Sequence, residues 1–154
     1  MLLTITTELG MDMDDCLAGT KIIPTDLENP LANVSIWQEL ALIRNIQSLR
    51  ASDEQLGLMV SRLCNASTMG VFGQALAASE TLKQAWELIE RYKLLGLAFS
   101  RFEFSSKHNS LRLKLHDLDV PADCQRFCQE RGLAGCQSLF SDLLGRPVVA
   151  ASVN

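Results

Sequence analysis

Apolar residues recur at helical spacing in several stretches of the chain, and the clearest stretch begins at Thr81. Gln84 follows three residues later, the spacing of an N-terminal capping pattern. The apolar stripe consists of Leu82, Ala85, Trp86, Ile89, Tyr92 and Leu95 or Gly96. Such i, i+3, i+4, i+7 spacing predicts an amphipathic helix. Burial of four of its large side chains would contribute about 1.5–3 kcal/mol each, so we expect a central helix.

Two further capping patterns predict helices earlier in the chain. Ser35 and Gln38 precede a helix that ends at about Arg50, and Ser52 with Gln55 precedes another. The apolar positions are Ile36, Leu40, Ile43, Ile46 and Leu49 in the first, and Leu56, Met59, Val60 and Leu63 in the second. The polar connection between them is short.

The pattern is less regular at the N-terminus and after the second helix. Helical spacing of Leu9, Met13, Cys16 and Leu17 predicts a short helix that stops at Gly19. Residues 22–33 contain two prolines and are expected to be irregular. Residues 70–76 are compact and small, which predicts a turn into a short helix.

The apolar period changes to two near residue 111. Leucines alternate with polar residues over 111–116, which is typical of a strand with one solvent-exposed face. Upstream, Phe99 lies on one parity and Phe102 and Phe104 on the other, so that strand is either bulged or buried on both sides. The polar segment 105–110 joins the two strands, and we expect a hairpin.

A last helical pattern begins near Pro121 and stops at Gly145. Its apolar positions are Cys124, Phe127, Cys128, Cys136, Leu139, Phe140 and Leu143. Gly132 and Gly135 weaken its middle, and the pattern leaves a kink and a break equally open. The apolar run 148–153 resembles a strand without a partner, so we expect the natural polypeptide to continue.

These elements predict an α+β fold, with several helices packed on a small, mostly antiparallel sheet. The 154 residues contain no repeat or low-complexity linker and are expected to form a single domain, residues 1–154. The formal net charge is −4, and acidic and basic residues are interspersed. Because no basic stripe is visible, any DNA contact would have to come from chain that is not present.

The cysteines are five in number: Cys16, Cys64, Cys124, Cys128 and Cys136. An odd number without an export signal indicates reduced thiols in the cytoplasm. The last three could form a metal or redox site, but no CxxC motif is present, so buried apolar packing is the favoured interpretation. No apolar run approaches the roughly 20 residues that span a bilayer. We expect a soluble, cytoplasmic protein without membrane contact.

Residues suited to catalysis are scarce. The chain has two histidines, His108 and His116, and lacks the Gly-x-Ser-x-Gly, His-Glu-x-x-His and Ser-x-x-Lys motifs. Gly70 and Gly73 do not form a phosphate-binding motif, which leaves close packing or a turn as their expected role. We predict that the protein is not an enzyme and uses no cofactor or metal.

Several short motifs between Asp53 and Val149 resemble, in their order and spacing, the N-terminal domain of AraC/XylS-family regulators of the arabinose-binding-domain-like group. The motifs are Leu56-Gly57-Leu58, the pair Gly70 and Gly73, Ser79-x-Thr81-Leu82-x-x-Ala85, Ile89-x-x-Tyr92, Leu111-x-Leu113-x-Leu115 and Leu143-Leu144-Gly145-Arg146-Pro147. The segment from Leu9 to Leu49 is similar to the family's looser N-terminal helices.

The resemblance implies a bacterial sensor that binds a small organic effector and controls a C-terminal domain with two helix-turn-helix motifs. No such module is present in the sequence, so we expect a truncated sensor domain that reaches DNA only through a C-terminal domain absent from this chain. The family's name is not taken as an indication of arabinose.

Aromatic side chains are the candidates for lining an effector cavity, since such cavities are mostly apolar with a few polar groups. They are Trp86, Tyr92, Phe99, Phe102 and Phe104. Arg91 and Arg101, close to them in sequence, could pair with an effector carboxylate. The alternative is that the aromatic side chains are ordinary core and the arginines are solvated.

The helix that begins at Ile36 is apolar around more than half its circumference, because Trp37, Ala41 and Leu42 flank its stripe. Such a helix is either sandwiched within the domain or shared with a second copy. The candidate dimerisation residues are Ile36, Trp37, Leu40 and Ile43. We therefore predict an effector-sensing homodimer, with a pure dimerisation module lacking a pocket as the alternative.

Overall fold

The computed structural model describes residues 1–29, 32–50, 55–92, 99, 101–107, 110–116 and 119–152. The chain divides into two compact units, Met1–Glu54 and Gln55–Asn154. The first contains α1 (Leu2–Glu8), α2 (Met13–Leu17), α3 (Pro24–Glu28) and α4 (Ile36–Leu49). The second contains α5 (Leu56–Ser61), a 3-10 helix (Ala66–Met69), α6 (Gly70–Ala77), α7 (Leu82–Arg91), β1 (Phe102–Lys107), β2 (Ser110–Leu115) and α8 (Ala122–Leu144). Helices with a two-stranded antiparallel sheet confirm the α+β class.

Helix α4 supplies the core of the first unit. The backbone N–H of Gln38 donates to the Ser35 hydroxyl, and the Gln38 carboxamide oxygen accepts from the Ser35 N–H, which confirms the predicted capping box. Leu40, Ile43 and Ile46 are fully buried. These three residues share one face of the helix, as the apolar spacing requires.

The helix predicted over Leu9 to Leu17 forms only over Met13–Leu17, and a separate helix, α1, precedes it. Leu9 ends α1, which the pattern did not predict, and Asp12 begins α2. The Asp12 carboxylate accepts the backbone N–H groups of Asp14 and Asp15, so this side chain starts a new helix. The predicted irregular stretch 22–33 contains α3, while its residues 30 and 31 lie outside the described part of the chain.

Helix α8 is the scaffold of the second unit, and it runs unbroken through Gly132 and Gly135. Both glycines are buried. A Cβ at Gly135 would lie 3.2 Å from the sulfur of Cys64. The missing side chain therefore lets a neighbouring segment approach, and this packing outweighs the low helix propensity of glycine.

Helix α5 packs directly against α8, and Gly57 makes this possible. A Cβ at Gly57 would lie 2.5 Å from the carbonyl oxygen of Phe127 and 2.9 Å from the backbone nitrogen of Arg131. The predicted cap of this helix, Ser52, lies outside the described residues.

Gly70 and Gly73 have the two roles that the sequence suggested. Gly70 has a φ of 57°, in the left-handed region that favours glycine. A Cβ at Gly73 would overlap the carbonyl oxygen of Ala66. A turn and a close approach are therefore confirmed.

The predicted hairpin is confirmed, with Phe102 opposite Leu115 and Phe104 opposite Leu113. Its strands extend into the segment 105–110 that was expected to be a loop. Phe99 precedes β1 and does not belong to a strand. Its different parity therefore reflects neither a bulge nor a strand buried on both faces.

The C-terminal segment differs from the prediction, because residues 148–152 do not form a strand. Gly145 adopts a left-handed conformation that ends α8, and the chain turns back along the helix. Among the helices in the described ranges, no segment combines the length and apolar character needed to cross a bilayer.

Candidate functional site

Four aromatic rings meet between α7, the hairpin and α8, and we call Trp86, Phe102, Phe104 and Phe140 the aromatic cluster. The Trp86 and Phe104 rings are stacked, with centroids 4.9 Å apart and planes inclined by 29°. Trp86 meets Phe102 at 6.2 Å and Phe140 at 6.1 Å edge-on, and Phe104 meets Phe140 at 6.3 Å in the same way. Both arrangements are favourable for aromatic pairs.

The position of each ring follows from the local pattern of its own helix or strand. Trp86 lies on the apolar face of α7, whose cap is the Thr81 hydroxyl accepting the N–H of Gln84. Phe102 and Phe104 are two residues apart in β1 and so share one face of the hairpin. Phe140 lies in the buried stripe of α8.

The aromatic cluster forms one core with further apolar side chains. Its buried neighbours are Leu76, Ala85, Ile89, Cys136 and Leu139. Partly buried side chains packed against this core are Met69, Phe72, Leu82, Leu88, Leu113, Leu115, Leu143 and Val148. Phe104 itself is half-buried. Ring faces and apolar side chains are the groups that contact apolar parts of organic molecules, and Phe104 is the ring of the cluster that is not fully buried.

The other predicted effector residues occupy different places. Tyr92 ends α7, is 46% exposed and meets the ring of Phe72 edge-on at 6.5 Å. Arg91 and Arg101 are both exposed, at the end of α7 and immediately before β1. The structure therefore brings Trp86, Phe102 and Phe104 together and leaves the two arginines at the surface.

Phe99 belongs to a separate contact centred on Arg131, a residue that sequence reasoning missed. The Arg131 guanidinium carbon lies 4.9 Å from the ring centroid of Phe99 and 5.4 Å from that of Phe127. Arg131 is 8% exposed, and such arginine–aromatic contacts strengthen when water is excluded. The available signal was its position in the apolar stripe of α8, four residues after Phe127.

The five cysteines are buried and unlinked. Burial and, to a smaller extent, neighbouring Cys64 raise the pKa of the Cys136 thiol to about 12. Burial likewise raises the pKa of Cys64, and burial with the nearby charges of Asp15 and Asp12 raises that of Cys16. These three thiols are therefore protonated at neutral pH, the form that is weak as a nucleophile or metal ligand. No group of three or more potential metal ligands occurs within the described ranges.

The sequence matches the profile of the arabinose-binding domain of AraC transcription regulators, N-terminal, over residues 10–154. The chain belongs to this family. The family is an effector-binding domain of transcription regulators and not of enzymes.

Three curated relatives are similar to this AraC-type domain. Two are uncharacterised HTH-type transcriptional regulators, from Mycobacterium bovis and Mycobacterium tuberculosis, each 28% identical over 135 residues that cover 88% of this chain and 39% of the relative. The third is the ornithine utilization regulator of Pseudomonas aeruginosa, 24% identical over 148 residues that cover 96% of this chain and 43% of the relative. The chain spans about two fifths of the length of these relatives. No solved structure matches.

The predicted dimerisation residues of the AraC-type domain divide into a buried and an exposed pair. Leu40 and Ile43 have no exposed surface and belong to the core of the first unit. Ile36 and Trp37, in the first turn of α4, are 43% and 70% exposed. Helix α4 is therefore buried along its middle and accessible at its N-terminal end.

Proposed function

We propose that this chain is the sensing part of an AraC-type bacterial transcription regulator that binds a small organic effector. In this proposal it forms a cytoplasmic homodimer and controls an attached helix-turn-helix domain, through which alone the protein contacts DNA. The observation that carries the proposal is the family match over residues 10–154. The two HTH-type relatives, more than twice as long as this chain, support the attached domain.

The aromatic cluster is the proposed contact for the apolar part of the effector. Phe104 lies at its half-buried edge, so a ligand could reach the rings without opening the whole unit. Arg101 directly precedes Phe102, and its exposed guanidinium is the proposed partner of an effector carboxylate. An amphipathic acid, with its carboxylate at the surface and its apolar part against the rings, suits this arrangement.

Regulation follows from linkage in this proposal. An effector alters the arrangement of a dimer only if it binds one arrangement more tightly than the other. The exposed pair Ile36 and Trp37 is the proposed self-association surface, because large apolar side chains at the surface favour association.

A thermal-shift screen of the full-length regulator tests effector binding. The panel contains L-arabinose, L-ornithine, other amino acids, short carboxylic acids and fatty acids; ornithine is included because one relative is an ornithine utilization regulator. A ligand at 100 times its dissociation constant adds about 2.7 kcal/mol of stability. We expect Arg101→Gln to weaken binding of a carboxylate effector, and Arg112→Gln, also exposed on the hairpin, to leave it unchanged.

A pure homodimerisation module is the second candidate, favoured by the 70% exposure of Trp37. Light scattering coupled to gel filtration should show that Trp37→Ala shifts a dimer toward monomer, whereas Val71→Ala, at a site 82% exposed, does not. A dimer together with no stabilising compound in the panel would favour this second candidate. A full-length gene without a helix-turn-helix segment would rule out the transcriptional proposal.

A further inference from the structure

The chain reverses direction immediately after α8. Gly145, at φ 60°, donates its N–H to the carbonyl of Asp142 at 3.1 Å, and Arg146 donates to the carbonyl of Ser141 at 3.2 Å. This paired pattern with a left-handed glycine is the Schellman ending of a helix. Pro147 follows and prevents continuation of the helix. Residue 148 is thereby brought back beside the last two turns of α8.

Two side chains of α8 bind the backbone of Val148, and we call Gln137, Ser141 and Val148 the clasp. The Gln137 side-chain nitrogen donates to the Val148 carbonyl at 2.8 Å, and the Val148 N–H donates to the Ser141 hydroxyl at 3.0 Å. The Ser141 hydroxyl in turn donates to the Gln137 carbonyl at 2.7 Å, which leaves its lone pairs directed to accept. Both backbone polar groups of Val148 are therefore satisfied.

The clasp also reaches the aromatic cluster. The Val148 side chain is half-buried and packs against the buried core to which Trp86, Phe102 and Phe140 belong. The next residue, Val149, is 81% exposed, and Ala150 is also exposed. The returning segment thus contacts this core through Val148, and residues 149–152 lie at the surface.

We propose that the clasp reversibly holds residues 146–152, which we call the strap, against α8. An organic molecule that enters among the rings of the aromatic cluster competes with the packing of Val148. This inference rests on the proposed function, because it assigns the cluster as the effector site. Among the described residues, two hydrogen bonds and one half-buried valine hold the strap. Contacts of this kind open at much lower free energy than a whole domain. A ligand with modest preference for the open state can therefore displace it.

The competition links the cluster to the C-terminal segment. By reciprocity, a ligand that releases Val148 binds more tightly when Val148 is already released. The released segment, 146–152, is the part of the described chain that leads toward the C-terminus. Ligand binding at the aromatic cluster therefore releases residues 146–152 from α8.

Amide hydrogen exchange by NMR tests whether the Val148 N–H is hydrogen-bonded to Ser141, as it is when the strap lies against α8. The Val148 amide is expected to exchange at least about tenfold more slowly than those of Val149 and Ala150, relative to their intrinsic rates, since its hydrogen bond must first break. Ser141→Ala should abolish this protection, and Gln129→Ala, an exposed glutamine on the same helix, should preserve it. Equal protection of the three amides in the unmodified chain would overturn the inference and leave effector binding by the cluster unaffected.

The competition itself is tested with 8-anilinonaphthalene-1-sulfonate, a fluorescent aromatic anion. Val148→Ser should bind the dye at least about threefold more tightly than Gln129→Ala, because the competing apolar side chain is gone. In the unmodified chain, saturating dye should accelerate exchange of the Val148 amide and leave that of Ala66 unchanged. Equal dye fluorescence in the two variants, including none in either, or a Val148 amide that stays protected while dye is bound, would overturn the competition. Failure of the effector panel alone would instead count against the proposed function.

Discussion

The indole of Trp86 stacks on the ring of Phe104, with centroids 4.9 Å apart. Trp86 belongs to α7 and Phe104 to β1, so this contact joins α7 to the hairpin. Phe140 of α8 meets both rings edge-on. The aromatic contacts therefore connect three elements of the second unit. We expect their loss to lower the stability of the whole unit.

Trp86→Ala is expected to lower the free energy of unfolding by about 3–5 kcal/mol, because it removes a buried indole and leaves a cavity. Urea unfolding followed by circular dichroism measures the change. Trp37→Ala, at a site 70% exposed, is the control and should change stability by less than about 0.5 kcal/mol at protein concentrations where the chain is monomeric. Similar losses in both variants would contradict the central role of Trp86.

Gly57→Ala and Gly135→Ala form a matched pair on one interface. The added methyl at Gly57 would meet the α8 backbone at 2.5 Å, whereas that at Gly135 would meet the Cys64 side chain at 3.2 Å. We expect Gly57→Ala to cost about 1–3 kcal/mol through displacement of α5. Gly135→Ala should stay within about 1 kcal/mol of the parent, because alanine gains helix propensity and a side chain can shift. Thermal denaturation compares the two, and equal losses would argue against the backbone contact.

Asp142 caps the 3-10 helix from a distant part of the chain. Its carboxylate accepts the N–H of Ala66 at 2.9 Å, across 76 residues of sequence. Asp142→Ala should therefore cost about 1 kcal/mol, the usual effect of losing a capping acceptor. Asp142→Asn keeps an oxygen acceptor and should retain most of the stability. Chemical denaturation distinguishes these outcomes, and two equally destabilised variants would show that the hydrogen bond is not the cause.

Cys136 should make stability fall with rising alkaline pH. Its thiol ionises near 9.0 in the unfolded chain, and burial raises the pKa to about 12 in the folded chain. Between these values the unfolded state releases a proton that the folded state retains, so the free energy of unfolding declines as pH rises. One such group contributes a slope of at most about 1.4 kcal/mol per pH unit. Cys136→Ala should show a shallower decline in urea denaturation between pH 9 and 11, and an unchanged slope would contradict the assignment.

Helix starts were predictable because capping is local. The caps at Ser35 and Thr81 depend on residues three positions away, and the structure has both. Helix α1 was missed, and the predicted helix start at Leu9 was wrong, because the Asp12 carboxylate accepts the N–H groups of Asp14 and Asp15 and starts α2 there. The predicted strand at 148–153 was wrong over 148–152, because side chains of α8 satisfy the backbone of Val148 in place of a neighbouring strand.

The candidate site could be predicted only in part. Trp86, Phe102 and Phe104 were among five aromatic candidates named for their apolar character, and the pattern did not separate them from Tyr92 and Phe99. Arg131 was not, since burial of a charged side chain depends on the rings of Phe99 and Phe127 that cover it. Phe140 was recognised as helical core, but its contact with Trp86 crosses 54 residues of chain and no local pattern encodes such a contact.

The amino-acid sequence alone determined the type of most elements, the role of the glycine pair Gly70 and Gly73, and the family, because these depend on neighbours within a few residues or on motif order. Only the tertiary structure decided which aromatic residues meet, that Leu40 and Ile43 are core while Trp37 is accessible, and that Val148 returns to the cluster. These features arise from contacts between distant segments, and the free energy of such contacts depends on how the whole unit packs.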